Sequence, residues 1–258
     1  MQDLKVAILQ FDQHWEDKQK NYSKIRALLK NKEGCDLLLI PEMFHTGFTM
    51  NHLEHAEEIA TSSGIEFLKD LSVNLNCAIY TSLIIKEKNK TYNRGVLISK
   101  NEITYYNKRK CFSLGGENEH FTAGTKEVVQ KLKGWNLNLQ ICYDLRFPEL
   151  IRNELKDGLT PKYDALLYVA NWPKKRIEHW KKLLQARAIE NQCYVIACNR
   201  IGTDGNGIEY NGNSMTIHPD GSLFESRLKE GQEGLEIAKL SYINLNEFRK
   251  KLPFLQDR

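Results

Sequence analysis

Short apolar runs rich in valine, isoleucine and leucine alternate with longer amphipathic segments along the whole chain. Runs that are apolar throughout, as at residues 37–40 and 166–170, are typical of strands buried on both faces. Segments with apolar residues every three or four positions predict helices, most clearly at 21–29 and 177–191. The remaining predicted strands lie at residues 5–10, 77–85, 96–99, 103–106, 137–141 and 194–198. This alternation predicts an α/β protein.

The segments between these elements carry turn signals. A turn is predicted at residues 100–101, and a loop rich in glycine and asparagine at 206–212. A proline at the start of 148–155 predicts a helix over those residues. Neither a linker-like change in composition nor an internal repeat interrupts the pattern, so we expect a single domain over residues 1–258.

The composition excludes several classes of protein. Of the 258 residues, 41% are hydrophobic and 27% are charged, which allows a sizeable core and argues against disorder. The net charge of +4 is spread along the chain, so nucleic-acid binding is not expected. The longest apolar runs span about six residues, against the roughly 18 that cross a bilayer, and the N-terminus does not resemble a secretory signal. We therefore expect neither membrane insertion nor export.

The six cysteines are scattered, without the paired spacing of a disulfide framework or a zinc site. His52 and His55 alone are too weak a signal for a metal centre. The expectation is a cytoplasmic protein with reduced thiols and no metal.

Three reactive side chains follow predicted strands: Glu42, Lys108 and Cys142. Ligands of α/β proteins usually bind outside the carboxyl ends of the strands. A thiol attacks as the thiolate, and the helix predicted to begin near Cys142 would lower the pKa of this thiol. Glu42 could accept the thiol proton, and Lys108 could stabilise a developing oxyanion. These three groups predict cysteine-based hydrolysis that requires no histidine.

The same residues resemble the nitrilase superfamily of carbon–nitrogen hydrolases, which use a Glu-Lys-Cys triad in this chain order. The resemblance covers nearly the whole chain. It implies Glu42 as general base, Lys108 as triad lysine and Cys142 as nucleophile. It also implies a second glutamate, for which the chain offers Glu117 and Glu119, and the spacing to the following aromatic residue favours Glu117. Four further segments resemble the omega-amidase branch: CYDLRFPE at 142–149, ANWP at 170–173, ARAIENQ at 186–192 and NRIG at 199–202.

The resemblance implies a four-layer α-β-β-α sandwich and pairing of two chains into a homodimer. It also implies cofactor-free hydrolysis of the terminal amide of a small 2-oxo acid, such as 2-oxoglutaramate or 2-oxosuccinamate, through a thioester on Cys142. Another activity of the superfamily, N-carbamoyl amidohydrolase or nitrilase, remains an alternative. A non-catalytic scaffold is disfavoured because all three reactive groups are intact, and a thiol redox sensor because Cys142 has no obvious resolving cysteine.

The residues that contact the substrate are predicted from their places beside the reactive groups. Tyr143 and Phe147 follow the nucleophile, and Trp172 follows a predicted strand. The carboxylate of a 2-oxo acid amide needs a cation at the far end of the pocket, and Arg176 is the candidate. Arg146, in contrast, is expected to be structural, bound to a carboxylate near the nucleophile.

Overall fold

The computed structural model describes residues 2–100, 102–156 and 158–258. In these residues the strands are β1 (Leu4–Gln10), β2 (Leu37–Leu39), β3 (Glu57–Glu58), β4 (Ala78–Glu87), β5 (Lys90–Ser99), β6 (Glu102–Asn107), β7 (Val129–Leu132), β8 (Trp135–Ile141), β9 (Leu155–Lys156), β10 (Thr160–Pro161), β11 (Ala165–Ala170), β12 (Tyr194–Asn199), β13 (Ile201–Thr203), β14 (Glu209–Asn211), β15 (Met215–Ile217) and β16 (Gly234–Leu240). The α-helices are α1 (Lys18–Leu29), α2 (His52–His55), α3 (Ser63–Leu75), α4 (Glu117–His120), α5 (Ile177–Asn191) and α6 (Tyr242–Lys251).

Two large sheets carry the fold. The first has the strand order β16-β1-β2-β4-β5-β6, with β3 beside β4, and the second has the order β15-β12-β11-β8-β7. Strands β1, β2 and β4 run parallel in the first sheet, as do β8, β11 and β12 in the second. The carboxyl ends of these parallel strands therefore lie together at one edge of each sheet.

The alternation of side chains along β1 shows how the layers pack. Val6 belongs to a core cluster that also contains Leu139 and Leu167 of the second sheet. Ala7 belongs to a separate cluster that includes residues of α1 and α3. On the second sheet, α5 packs against β12 and β15 through residues such as Leu184. The layers thus run helices, sheet, sheet, helices, which confirms the predicted α-β-β-α architecture.

One predicted helix is wrong. Residues 148–155 form only a single 3-10 turn, Pro148–Leu150, followed by irregular chain and the short strand β9. The side chain of Asn153, which is fully buried, donates hydrogen bonds to the carbonyl oxygens of Tyr163 and Asn191. These hydrogen bonds hold the chain in a non-helical conformation. Asparagine side chains are known to compete in this way with the hydrogen bonds of a helix.

The predicted loop at 206–212 is only partly a loop. Its last residues contain β14, which pairs antiparallel with β13, so this segment closes a hairpin beside the second sheet. The turn predicted at residues 100–101 includes Asn101, which lies outside the described residues. None of the helices in the described part of the chain combines the length and the apolar composition that a membrane crossing requires.

Candidate active site

Glu42 is completely buried where the chain leaves β2. Its Oε1 accepts hydrogen bonds from Lys108 Nζ at 3.0 Å and from Asn93 Nδ2 at 2.7 Å. Its Oε2 accepts one from the backbone N–H of Asn171 at 2.9 Å. A buried carboxylate is costly unless donors surround it, and three donors do so here.

Lys108 follows β6 and is 1% exposed. Its Nζ lies 3.0 Å from Glu42 Oε1 and 3.0 and 2.8 Å from the two carboxylate oxygens of Glu117. Burial alone lowers the pKa of a lysine, but the two carboxylates outweigh this effect and raise the pKa of Lys108 well above its ordinary value. The side chain is therefore a fixed ammonium ion.

Glu117 is the first residue of α4 and is fully buried. Its Oε1 accepts a hydrogen bond from Asn93 Nδ2 at 3.0 Å, and its Oε2 accepts one from the backbone N–H of Phe112 at 2.6 Å. Glu119, two residues later, is exposed to solvent. Of the two glutamates offered by the sequence, the structure thus brings Glu117 to Lys108.

Cys142 begins the 3-10 helix Cys142–Arg146 and is 9% exposed. Its φ of 43° lies in the left-handed region, which residues other than glycine adopt uncommonly. Its Sγ lies 3.9 Å from the carbonyl oxygen of Asn171. The conformation places the thiol at the point where the second sheet ends.

The expectation that a helix start lowers the pKa of Cys142 is wrong. Burial raises the pKa of this thiol well above its ordinary value; the charge of Glu42 raises it further, and that of Lys108 opposes the shift only in part. The helix is a single five-residue 3-10 turn, and burial beside a carboxylate dominates over it. The resting side chain is a neutral thiol that needs a base to become nucleophilic.

Asp144 fixes the turn that carries Cys142. Its Oδ2 accepts hydrogen bonds from Tyr106 Oη at 2.7 Å and from the backbone N–H of Ile141 at 3.1 Å, and its Oδ1 accepts one from the backbone N–H of Lys110 at 2.9 Å. Burial raises the pKa of Asp144 to about 6, against the opposing effect of these donors. The carboxyl group thereby ties the nucleophile turn to β6 and the segment after it.

Lys108 and Cys142 line an open cleft together with Tyr143, Trp172 and Arg176. These three were predicted to contact the substrate, and the structure brings them to the nucleophile. The fourth, Phe147, is not among the residues that line the cleft. Its ring packs edge-on against Tyr143, with the centroids 5.2 Å apart, and its face is covered by the ammonium group of Lys110.

Two guanidinium groups line the same cleft. Arg176 lies over the ring of Phe112 at 5.3 Å from the ring centroid, and Arg146 over the ring of Trp172 at 4.8 Å. Burial lowers the pKa of Arg146, and the charge of Arg176 acts in the same direction, as expected for two cations held near each other. In the described residues, neither guanidinium forms a salt bridge to a carboxylate.

The expectation that Arg146 is bound to a carboxylate is therefore wrong. Its hydrogen-bond partner is the Nδ1 atom of His179 at 3.2 Å. The carboxylate of the same turn, Asp144, is already bonded to Tyr106 and to two backbone N–H groups. Arg146 is thus free to face the cleft.

Three residues at the site, Asn93, Asp144 and Asn171, were not identified from the sequence as site residues. Asn93 offered a signal, because asparagine is uncommon within a strand and β5 is buried at this point. Asp144 and Asn171 lie in the segments at 142–149 and 170–173 that resemble the omega-amidase branch, but their contacts depend on which loops meet and so could not be assigned from the sequence. Among the residues that the structure describes, no cluster of histidine, cysteine and acidic side chains is arranged to hold a metal ion.

Comparison with known proteins identifies the family. Residues 5–250 match the carbon-nitrogen hydrolase family. The omega-amidase YafV of Yersinia enterocolitica is 38% identical over 258 residues, covering 100% of this chain and 97% of the relative. The 2-oxoglutaramate amidase of Bacillus subtilis is 32% identical over 258 residues, covering 98% and 96%. XC1258 from Xanthomonas campestris, a CN-hydrolase superfamily protein solved with an arsenic adduct in its active site, superposes with a TM-score of 0.95 at 34% identity, over 100% of this chain and 98% of that one. The chain belongs to the carbon-nitrogen hydrolase family, whose members hydrolyse carbon–nitrogen bonds other than peptide bonds.

Proposed function

We propose that this hydrolase is an omega-amidase, which cleaves the terminal amide of small 2-oxo acid amides such as 2-oxoglutaramate and 2-oxosuccinamate. The observation that carries the proposal is the pair of guanidinium groups, Arg146 and Arg176, in the cleft that contains Cys142. Two cations without carboxylate partners are complementary to a substrate that carries its own carboxylate. The omega-amidase and 2-oxoglutaramate amidase relatives support the same substrate class.

In the first half-reaction, Glu42 removes the thiol proton of Cys142 as the sulfur adds to the amide carbon. The raised pKa of Cys142 favours proton transfer during attack rather than before it. Lys108 has three N–H groups, and since it also lines the cleft, one can bind the oxyanion while the others hold the glutamates. The backbone N–H of Tyr143 is the second oxyanion donor.

The tetrahedral intermediate collapses when the carbon–nitrogen bond breaks. Glu42 returns its proton to the leaving nitrogen, so ammonia departs and a thioester remains on Cys142. In the second half-reaction, Glu42 takes a proton from water, and the oxygen adds to the thioester carbon. The thiol leaves with that proton, and the dicarboxylate product is released. Side chains of the chain itself carry every step, so we propose no cofactor.

Glu117 supports this cycle without bonding to Cys142. It accepts hydrogen bonds from Lys108 Nζ with both of its oxygens, and it is itself held by the backbone N–H of Phe112. We propose that Glu117 keeps Lys108 charged and oriented while Glu42 changes between its protonated and ionised forms.

Two further parts of the proposal concern assembly and location. Ile189 on α5 and Ile243 on α6 are 53% and 62% exposed, and apolar side chains on an outer helical layer are suited to pairing with a second copy as a homodimer. Sedimentation analysis tests this directly, since a monomer at micromolar concentration contradicts it.

Free cysteines are typical of a reducing compartment, which supports a cytoplasmic location.

The test of the activity is ammonia release from a panel of small substrates. We expect the highest kcat/KM for 2-oxoglutaramate or 2-oxosuccinamate, with much lower values for glutamine and asparagine. Carbamoyl amino acids and aliphatic nitriles belong in the same panel. A preference for either of these classes assigns the protein to another activity of the superfamily and overturns the omega-amidase proposal.

A further inference from the structure

Asn93 bonds to both buried carboxylates of the site. It lies in β5, is 2% exposed, and its Nδ2 is 2.7 Å from Glu42 Oε1 and 3.0 Å from Glu117 Oε1. Lys108 Nζ binds the same two oxygens, each at 3.0 Å. The backbone also joins the two donors, because the N–H of Lys108 donates to the Asn93 carbonyl oxygen at 3.0 Å. The ammonium and the amide therefore share the same pair of carboxylate oxygens.

The chemistry of the contacts decides the orientation of the Asn93 amide. An amide oxygen facing two carboxylates would be repelled, whereas the NH₂ group has one hydrogen for each of them. Asn93 Oδ1 is left buried, with no hydrogen-bond partner among the described residues. An unpaired buried oxygen lowers the stability of a protein. The benefit of the asparagine at this position therefore lies in its two donated hydrogen bonds.

These donors make the two oxygens of Glu42 unequal. Oε1 accepts from both Lys108 and Asn93, which fills its two lone-pair positions. Oε2 accepts only from the backbone N–H of Asn171, so one lone pair remains free. Asn171 is also the residue whose carbonyl oxygen contacts Cys142 Sγ. The free lone pair of Glu42 is thus on the oxygen that is linked to the nucleophile through Asn171.

We propose that Asn93 is a positioning residue that keeps Glu42 Oε1 occupied, so that the proton of Cys142 is transferred to Oε2. This inference rests on the proposed function, in which Glu42 is the base. The ionisable groups that face Glu42 are Lys108, which follows β6, Glu117 of α4, Cys142 after β8 and Tyr80 of β4. Asn93 is the neutral donor among them, and its removal leaves all of these charges in place.

The test uses Asn93→Leu, which keeps the volume of the side chain but has no donor. The ionised form of Glu42 loses one hydrogen bond, so the acidic limb of the kcat/KM profile should move to higher pH by about 1 to 2 units, the shift for one hydrogen bond to a charged group. We expect kcat to fall at least about tenfold, with KM changed by less than about threefold. If Asn93→Leu does not fold, Asn93→Ala gives the same readouts.

A matched control is Asn153→Leu, another fully buried asparagine, whose Nδ2 bonds only to backbone carbonyl oxygens of Tyr163 and Asn191. It should lower the melting temperature without moving the pH profile. An Asn93 variant that behaves like this control, or one that raises KM alone, overturns the proposal.

A second measurement does not depend on the amide substrate. The rate at which iodoacetamide alkylates Cys142, followed by mass spectrometry of the Cys142 peptide, reports how readily the thiol loses its proton. The pH dependence of this rate should move upward in Asn93→Leu as well. An unchanged alkylation profile contradicts the role of Asn93. Failure of the omega-amidase proposal is seen separately, as the absence of ammonia release from 2-oxo acid amides by the unmodified enzyme.

Discussion

Asn171 is hydrogen-bonded to Glu42 twice: its backbone N–H donates to Glu42 Oε2 at 2.9 Å, and its Nδ2 donates to the Glu42 carbonyl oxygen at 2.6 Å. Glu42 follows β2 of the first sheet, and Asn171 follows β11 of the second. Since the Asn171 carbonyl oxygen also contacts Cys142 Sγ, one residue links the base to the nucleophile. The geometry of the site therefore depends on the packing of the two sheets.

Glu42→Gln and Lys108→Ala are each expected to lower kcat by at least about 10² to 10³, because one removes the proton acceptor and the other an oxyanion donor. The two residues share a hydrogen bond, so they should act as a unit. The double variant should therefore lose much less than the product of the two single effects. Steady-state ammonia release, corrected for the folded fraction, measures both quantities.

The correction for folding matters because Lys108→Ala leaves two buried carboxylates without their ammonium partner. Thermal unfolding of each variant provides the folded fraction. Small losses that multiply in the double variant would indicate that Glu42 and Lys108 bind substrate and do not take part in the reaction.

Arg176→Ala and Arg146→Ala should each reduce kcat/KM for 2-oxoglutaramate by about 10- to 150-fold, the effect of a charge-assisted hydrogen bond worth roughly 1.5 to 3 kcal/mol. The loss should vanish for an uncharged amide of equal length. Lys175→Ala is the matched control, since this exposed cation is the chain neighbour of Arg176 and lies outside the cleft lining. Equal losses on charged and uncharged amides would mean that the arginines support the structure of the cleft.

Asp144→Asn should change the way stability depends on pH. Burial raises the pKa of Asp144 to about 6 in the folded protein, against about 3.9 for an unfolded chain. The folded state therefore keeps this proton up to a higher pH than the unfolded chain does. The contribution of Asp144 to stability is complete below about pH 4 and is lost as the pH rises through about 6. The asparagine does not titrate.

Urea unfolding of both proteins between pH 4 and pH 7 measures this effect. The free energy of unfolding of the unmodified protein should fall relative to that of Asp144→Asn by roughly 2 kcal/mol across this interval, most of the roughly 3 kcal/mol that two units of pKa shift imply, because the unfolded carboxyl group is already about half ionised at pH 4. A difference that stays constant with pH would show that Asp144 does not hold its proton in the fold.

The strands that position the site could be predicted because of their composition. Residues 37–40 and 166–170 are apolar throughout, a pattern that a strand buried on both faces explains, and both segments are strands between packed layers. No such pattern in the sequence argues against the helix expected at 148–155. Its proline is a good helix start, and only the contacts of Asn153 with distant backbone show why the chain does not continue as a helix.

The sequence predicts which residues form the site better than it predicts their pKa values and charge partners. The predicted strand and the turn after it place Cys142 at the carboxyl end of a strand. The depth of burial that raises the pKa of its thiol depends instead on the packing of both sheets. The contacts of Arg146 likewise depend on the fold, because Asp144 accepts hydrogen bonds from Tyr106 and from the backbone and therefore does not pair with Arg146. Asn93 and Asn171 each donate hydrogen bonds to Glu42, which comes from a distant part of the chain, and the sequence alone does not show that these residues meet.

The central claim, that Cys142 attacks the substrate amide, is tested most directly by mass spectrometry of the acid-quenched enzyme during turnover of 2-oxoglutaramate. A 2-oxoglutaryl adduct on the Cys142 peptide is the predicted result, because the thioester is the species between the two half-reactions. Cys142→Ala should be folded, free of adduct and inactive. An adduct on another cysteine, or full ammonia release by Cys142→Ala, would contradict the account.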